Sequence, residues 1–449
     1  MSLAQQLYEK AYFPAFERIK GRNTAGLYRT ALATQWKSPE ELELGQLANL
    51  NRLLAHAKTH CKYYRDHIEI PAILDSLTSL SALPELNKHI IRANLDNLIS
   101  DDQRNSVWRK ATGGSTGDPM QFAYTQESFE WRVAMSLRGY SWAGAAPGSK
   151  QAYIWGMPPP SSSLFSDLKV RLHQRSERKR YFNCFDFTDE KMQACLRYLK
   201  KWQPDCLVGY TNPLVELARL ALKNGGAGFS VGSILTAAEK LHPVQRDLLV
   251  EAFGGDVFET YGSREFMLIG SECNHHNGLH VSAENLIVEV VDENGHPVPA
   301  GSTGRLLITD LNNYGMPFIR YEVGDMARAS DKVCECGRGL PLLDGIVGRS
   351  LDILRAPSGK VIPGEYFVYF MMDFEEISRY QVVQRQLDRL ELRLQSKHPL
   401  SKQTLENIHQ RISAGLDSTI NLDIVTDAEI SLTPTGKHRV TISELDATA

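Results

Sequence analysis

At 449 residues, 42% of them hydrophobic and 23% charged, the chain has the apolar content to build two or three packed domains, and its composition is not that of a disordered polymer. With 50 Lys and Arg against 53 Asp and Glu, the net charge of -3 gives no electrostatic basis for general nucleic-acid binding. No apolar run reaches the roughly 18 residues of a membrane-spanning helix. The opening MSLAQQLYEKAYFPAFERIKGR interleaves charge with apolar residues instead of forming a signal-peptide core. Seven cysteines, an odd number, do not read as a secreted disulfide framework, and the expected location is the cytoplasm. Cys61, Cys184, Cys195 and Cys206 are scattered and read as buried small hydrophobes or inert thiols.

Taken in chain order, the opening segment, about residues 1–105, is predicted helical: Leu47, Leu50, Leu54 and Ala57 share one helix face. From about residue 150, apolar runs such as Ile234–Leu235 and Leu306–Ile308 alternate with amphipathic helices such as Pro243–Phe253. That alternation predicts an α/β fold. Gly and Pro cluster over 348–364 and mark a hinge. It divides a large N-terminal domain, 1–347, from a small C-terminal one, 348–449. In the latter, Leu390, Leu392 and Leu394 alternate as a strand, and Leu405, Ile408 and Ile412 take helical spacing. Ile420, Leu422 and Ile424, then Val440 and Ile442, return to period two, giving a β-α-β-β module.

Lys110-Ala-Thr-Gly-Gly-Ser-Thr-Gly-Asp-Pro119 concentrates glycine and hydroxyl groups in one loop. Gly113, Gly114 and Gly117 permit close backbone approach, and Thr112, Ser115 and Thr116 add hydroxyl donors, a composition able to wrap a polyphosphate. No Lys-Ser/Thr follows, so it is not a Walker P-loop. By itself the loop reads equally as a ligand-free surface turn.

T-G-G-S-T-G-D-P resembles the phosphate loop of the adenylate-forming superfamily, in particular its phenylacetate–CoA ligase-like branch, which includes capsule-biosynthesis relatives. Further motifs follow in that family's order: Thr236-Ala-Ala-Glu239, Glu259-Thr-Tyr-Gly-Ser-Arg-Glu265, Arg320-Tyr-Glu-Val-Gly-Asp325, Gly348-Arg349 with Asp352, and Thr433-Pro-Thr-Gly-Lys-His-Arg439. The resemblance implies a large adenylate-forming domain of mixed sheets and helices with a mobile C-terminal α+β lid. It implies activation of a carboxylic acid, aryl or of medium size, by ATP to acyl-AMP and pyrophosphate, then transfer to the thiol of CoA. Transfer to an amine, hydroxyl or carrier protein, or a non-catalytic zinc-bearing protein on this fold, are the alternatives. The resemblance leaves the oligomeric state open, a homodimer included.

It also assigns roles. Lys437 reaches the α-phosphate, and Glu265, assisted by Thr116, holds Mg²⁺. Thr112 to Gly117 cradle phosphates, Ala238 and Glu239 lie along the adenine, and Tyr261 stacks on it, within a stretch formed by Glu259, Thr260, Tyr261 and Gly262. Asp325 accepts from the ribose hydroxyls, Arg349 holds phosphate or ribose, and Tyr210 lines the acyl pocket. Two departures stand out: Asp118 replaces a frequent Lys in the loop, and Leu351 replaces the first of two acidic hinge residues.

Cys273-Asn-His-His-Asn-Gly-Leu-His280 and Cys334-Glu-Cys336-Gly supply soft ligands suited to tetrahedral zinc. The resemblance selects Cys273, His280, Cys334 and Cys336 as a structural shell, with His275 or His276 as replacements. The basic run Arg171, Arg175, Arg178, Lys179 and Arg180 could receive the phosphates of CoA, or be a solvated helix face. Trp155-Gly-Met-Pro-Pro-Pro160 and Gly209-Tyr-Thr-Asn-Pro213 could line the acyl pocket, or pack in the core.

Overall fold

The opening helices follow from their caps and apolar faces. α1 (Leu3–Leu7), a wide turn at Tyr8–Tyr12, α2 (Phe13–Ile19) and α3 (Thr24–Thr34) lead to α4 (Pro39–His60). Ser38 starts α4 with a reciprocal capping box, its hydroxyl accepting from the Glu41 amide at 3.2 Å while the Glu41 carboxylate accepts from the Ser38 amide at 3.0 Å. Leu42, Leu50, Leu53, Leu54 and Ala57 form its buried face. α5 (Lys62–His67) and α6 (Lys88–Leu98) follow, the latter capped by Asn87. α7 (Gln126–Trp142) starts at Thr125, whose hydroxyl accepts from the Ser128 amide.

The computed structural model describes the chain except residues 1–2, 112–119, 157–169, 171, 185–186, 350–353, 358–360, 363–366, 368–370, 372–373, 375, 397, 414–415, 417–418, 427, 431–438 and 446–449. It divides into two compact units, one of residues 1–323 and 327–346, the other of 324–326 and 347–449.

In the first unit a two-stranded hairpin, β1 (Trp108–Ala111) with β2 (Gln121–Tyr124), brackets the glycine-rich segment in antiparallel register, Ala111 opposite Gln121. The main sheet is built from β3 (Gln151–Trp155), β4 (Lys179–Asn183), β5 (Cys206–Tyr210), β6 (Ser233–Ala237), β7 (Asp256–Ser263), β8 (Met267–Ser271), β9 (Leu279–Val281), β10 (Leu286–Val291), β11 (Thr303–Asp310), β12 (Tyr321–Ala329) and β13 (Leu342–Arg349). Its order is β10-β11-β12-β13-β9-β8-β7-β6-β5-β3-β4.

From β4 to β7 the strands run parallel, joined through helices Asp189–Trp202, Thr211–Lys223 and Pro243–Phe253, as βαβ crossovers require. Beyond β7 the pairings with β8 and β9 turn antiparallel. Two ion pairs bind α7 into this unit: Arg132 with Asp310 at 2.7 Å and Arg138 with Glu284 at 2.5 Å. Both arginines are buried, so each carboxylate offsets a charge that would be costly alone.

The second unit carries a four-stranded sheet of β16 (Ile377–Gln386), β17 (Arg389–Ser396), β18 (Asn421–Val425) and β19 (Thr441–Ser443), ordered β18-β17-β16-β19. β14 (Leu354–Arg355) and β15 (Val361–Ile362) form a separate two-stranded pair. The helix Lys402–Ser413 buries Ile408 and Ile412 in a core shared with Leu390, Leu392 and Leu394. β16 is an addition to the module expected from the sequence. Its apolar residues do not alternate, because Gln381 and Gln384 occupy buried positions beside Val382 and Val383. The basic run also differs from a solvated helix face: Lys179 and Arg180 open β4, with Lys179 paired to Glu177 and Arg180 donating to the Tyr198 hydroxyl at 2.8 Å. Among the described residues, no helix is long and apolar enough to cross a membrane.

Candidate active site

The carboxyl ends of parallel strands gather the crevice of an open α/β sheet, because the connections leave space there. Here β3 ends at Trp155 and β5 at Tyr210, with their rings 4.6 Å apart. Burial, aided by Cys184 and Glu239, pushes the Tyr210 hydroxyl up to about 12. Past the end of β6, Ala238 adopts φ +69°, a left-handed conformation that costs a non-glycine residue energy. The turn delivers Glu239 to the start of helix Thr211–Lys223, where its carboxylate accepts from the Asn212 amide at 2.8 Å and its carbonyl from the Thr211 hydroxyl at 2.9 Å. The Glu239 side chain therefore caps a helix, and the backbone of this turn is what remains to lie along a ligand.

The Tyr-Gly turn has a strict steric reason. A Cβ on Gly262 would sit 2.0 Å from the Met267 carbonyl oxygen, where the β7–β8 register shifts. Tyr261 itself is buried in the largest core cluster. The same turn presents Glu265, 6% exposed, whose carboxylate accepts from the Tyr321 hydroxyl at 3.1 Å. That hydroxyl also lies 3.7 Å from the sulfur of Met120, the residue directly after the glycine-rich segment. On the other side, Arg264 donates to the carbonyl of Ala111, directly before it, at 3.2 Å. The turn carrying Glu265 thus touches one flank of the segment directly and reaches the other through Tyr321.

Glu259 sits among charges. Burial, with the nearby Glu272 carboxylate adding to it, pushes its carboxyl up to about 7. Glu272 accepts from the Glu259 amide at 2.7 Å and binds Arg246 through both oxygens at 2.9 and 3.0 Å. Burial lowers the Lys240 ammonium, which the Glu259 charge partly restores. It also holds His242 down at about 4.

A second cluster lies beside the antiparallel half of the sheet. One donor atom each from Cys273, His280, Cys334 and Cys336 lies within 4.8 Å of the others. The Cys273 and Cys334 sulfurs are 3.6 Å apart, and the Cys336 sulfur is 3.4 Å from His280 Nε2. Tetrahedral zinc, with Zn–S near 2.3 Å and Zn–N near 2.0–2.1 Å, has donor–donor edges of about 3.5–3.8 Å. The donor set and spacing therefore fit that ion. Gly337, at φ +83°, turns the chain back, its amide donating to the Cys334 carbonyl at 3.2 Å. His276 does not join the cluster; it faces the Glu272 carboxylate at 3.2 Å.

No family model matches the chain. It is 26% identical over 383 residues to the phenylacetate–coenzyme A ligase of Thermus thermophilus, a match covering 81% of this chain and 83% of that protein. Protein CapK of Staphylococcus aureus is 22% identical over 378 residues, covering 82% of this chain and 81% of its own. Among solved structures, 2-hydroxyisobutyryl-CoA ligase in complex with an acyl-AMP superposes with a TM-score of 0.71 at 20% identity, over 91% of this chain and 90% of that one, a likeness of fold. In sequence the chain is similar to phenylacetate–CoA ligases and to CapK, and its fold is that of 2-hydroxyisobutyryl-CoA ligase.

The structure brings Ala238, Glu239, Glu259, Thr260, Tyr261, Gly262 and Glu265 to the ends of β6 and β7 and the turn between β7 and β8. Thr260 helps to hold them there, its hydroxyl donating to the Thr236 carbonyl at 2.7 Å. Asp325 lies half-buried on β12, in the 324–326 stretch that groups with the second unit, and Arg349 ends β13. Thr112, Gly113, Gly114, Ser115, Thr116, Gly117, Asp118, Arg171, Leu351, Asp352 and Lys437 lie outside the described residues. Sequence reasoning gave Tyr321 no role, although it follows Arg320 in the Arg-Tyr-x-x-Gly-Asp motif. Arg320 itself is structural: buried, it binds Glu289 at 3.1 Å and donates to the carbonyls of Ser81, Leu83 and Gly295.

Proposed function

We propose that this ligase activates a carboxylic acid, aryl or of medium size, with ATP, and passes the acyl group to the thiol of CoA. The observation that carries the reading is the Glu265 turn, where Arg264 meets one flank of the glycine-rich segment and the buried carboxylate meets the Tyr321 hydroxyl that lies against the other. An anion-cradling loop needs a carboxylate beside it only if a cation comes between them. Glu265, with Thr116, would hold Mg²⁺, which supplies charge neutralisation on the phosphate oxygens.

In the first half-reaction a substrate carboxylate oxygen attacks the α-phosphorus and pyrophosphate leaves. Thr112 to Gly117 would hold the phosphates, Lys437 would offset charge building on the α-phosphate, and Tyr261 and the Ala238 turn would border the adenine. Asp325 would orient the ribose, with Arg349 on ribose or phosphate. In the second half-reaction the CoA sulfur attacks the acyl carbon and AMP leaves. Residues 348–449 would act as the lid that exchanges Lys437 for the thiol path. The paired rings of Trp155 and Tyr210 support an aromatic or similarly sized acyl group. Cys273, His280, Cys334 and Cys336 would hold zinc as a closed structural shell. All seven cysteines are unpaired, which suits the reducing cytoplasm.

ATP–pyrophosphate exchange across aryl and alkyl acids, with Mg²⁺ and without CoA, tests the first half-reaction. Exchange with one acid class, abolished in Lys437→Ala, is the expected result. Silence with every acid while ATP still binds would remove the reading. Exchange with no thioester on adding CoA would move the acyl group to an amine, hydroxyl or carrier protein.

A further inference from the structure

We propose that His56, His60 and Asp102 form a second metal site, on the surface of the first unit, for a divalent transition-metal ion. The two imidazoles lie one helical turn apart at the end of α4, the spacing that stacks side chains on one helix face, with ring centroids 4.7 Å apart. His56 Nε2 and His60 Nδ1 each lie 3.9 Å from the same oxygen, Oδ1 of Asp102. One donor atom from each residue falls within 4.8 Å of the other two.

The carboxylate is placed by backbone. The Asp101 amide donates to the His60 carbonyl at 2.9 Å, and the Ser100 amide donates to the Gly315 carbonyl at 2.9 Å, fixing the turn after α6 against the end of α4. Arg104 pairs with Asp101 at 3.3 Å, and Gln103 donates to Oδ2 of Asp102 at 3.3 Å. Oδ1 is left toward the two rings. Donors around a tetrahedral zinc-like ion sit about 3.3–3.6 Å apart at bond lengths near 2.0–2.2 Å. The half-exposed side chains of His60 and Asp102, at 39% and 37%, can close that gap by small rotations and leave the outer positions to water.

His56 Nε2 also lies 2.9 Å from the Tyr314 carbonyl and 3.1 Å from the Ser100 hydroxyl. Binding an ion at Nε2 displaces its proton and ends that contact to the carbonyl. The Ser100 hydroxyl donates to the same carbonyl, so it keeps a partner. Two imidazoles and one carboxylate select zinc, nickel, cobalt or copper over Mg²⁺ or Ca²⁺, whose sites are built from oxygen. The thiolate-rich cluster around Cys273 holds zinc more strongly than this N₂O set, so a single equivalent of zinc fills that cluster and leaves this site open.

Nickel is the probe. Tag-free, full-length protein holding one equivalent of zinc is titrated with Ni²⁺ by calorimetry, alongside His60→Ala and Asp102→Asn, both half-exposed side chains. One equivalent of Ni²⁺ is expected in the parent protein, weakened by at least about tenfold in each variant, the scale on which even outer-shell changes weaken metal sites. Ni²⁺ should also raise the melting temperature of the parent and not of His60→Ala, since a ligand bound only to the folded state stabilises it. No Ni²⁺ binding by the parent, or equal binding in the parent and both variants, would overturn the proposal.

Discussion

A buried carboxylate that accepts from a tyrosine hydroxyl is both costly to desolvate and well placed to receive a cation, and Glu265 is such a group. Glu265→Gln should lower adenylation by about two orders of magnitude or more, the loss expected when a charge-stabilising group is removed from a phosphoryl-transfer site. Tyr321→Phe is the sharper test because it leaves the charge and removes only the donor. The Mg²⁺ concentration for half-maximal exchange should rise roughly tenfold, equivalent to about 1.4 kcal/mol of lost positioning. An unchanged Mg²⁺ profile in Tyr321→Phe would mean that the tyrosine serves packing alone. Glu259 makes a prediction of the opposite kind. It keeps its proton up to about pH 7 in the folded protein, against an ordinary value of 4.5, so between these the folded state binds more protons than the unfolded one. Stability should therefore fall as pH rises through that window, by about 3–4 kcal/mol at most. Urea denaturation at several pH values should show this slope in the parent and lose it in Glu259→Gln. Parallel curves for the two proteins would refute the assignment.

Elements that repeat a simple period were legible, and elements that bury polar side chains were not. The face of α4, the helix Pro243–Phe253 and the alternation of Leu390, Leu392 and Leu394 all match the structure because apolar spacing and packing coincide there. β16 stayed hidden because a fully buried Gln384 stands where the pattern calls for an apolar residue. The structure gives the reason: its amide oxygen accepts from the Arg355 amide at 2.9 Å, and its nitrogen donates to the Arg355 and Leu387 carbonyls. One side chain completes the backbone pairing between β14 and β16, an arrangement fixed by contacts 29 residues apart that local periodicity cannot register. Gln384→Leu keeps the size and leaves those backbone groups without partners. It should destabilise the second unit by roughly 1–3 kcal/mol, the cost of an unmet buried hydrogen bond. Hydrogen exchange should quicken at Arg355 and along β16, and unchanged protection there would show that water replaces the side chain.

At the scale of the molecule, the motifs stood in the sequence as an ordered series, while the long-range contacts around the described ones did not show there. Tyr321 illustrates the gap: its hydroxyl meets Glu265 across 56 residues, and nothing in either local sequence announces the pair. The cysteine cluster shows the same division. Its four ligands were visible as residue types, but the surrounding clamp is long-range. Arg338 lies between the rings of Trp36 and Trp142, at 4.8 and 4.6 Å, and donates to Gln35 Oε1, which also accepts from Trp142. Trp142 in turn meets His280 edge-on at 5.5 Å. These contacts join the Cys334–Gly337 turn to the α3–α4 junction and to the end of α7, so zinc there would secure the opening helices as well as its own loops. Removing zinc, with loss confirmed by mass spectrometry, should lower the melting temperature of the first unit by more than about 5 °C. Tryptophan fluorescence should change in step, because Trp142 reports on His280. Adenylation measured well below the transition should survive, since a shell closed by four protein ligands leaves no position for substrate. An unaltered melting temperature in protein proven metal-free would reduce the cluster to four neighbouring side chains. Loss of adenylation without loss of folding would instead place the ion in the chemistry.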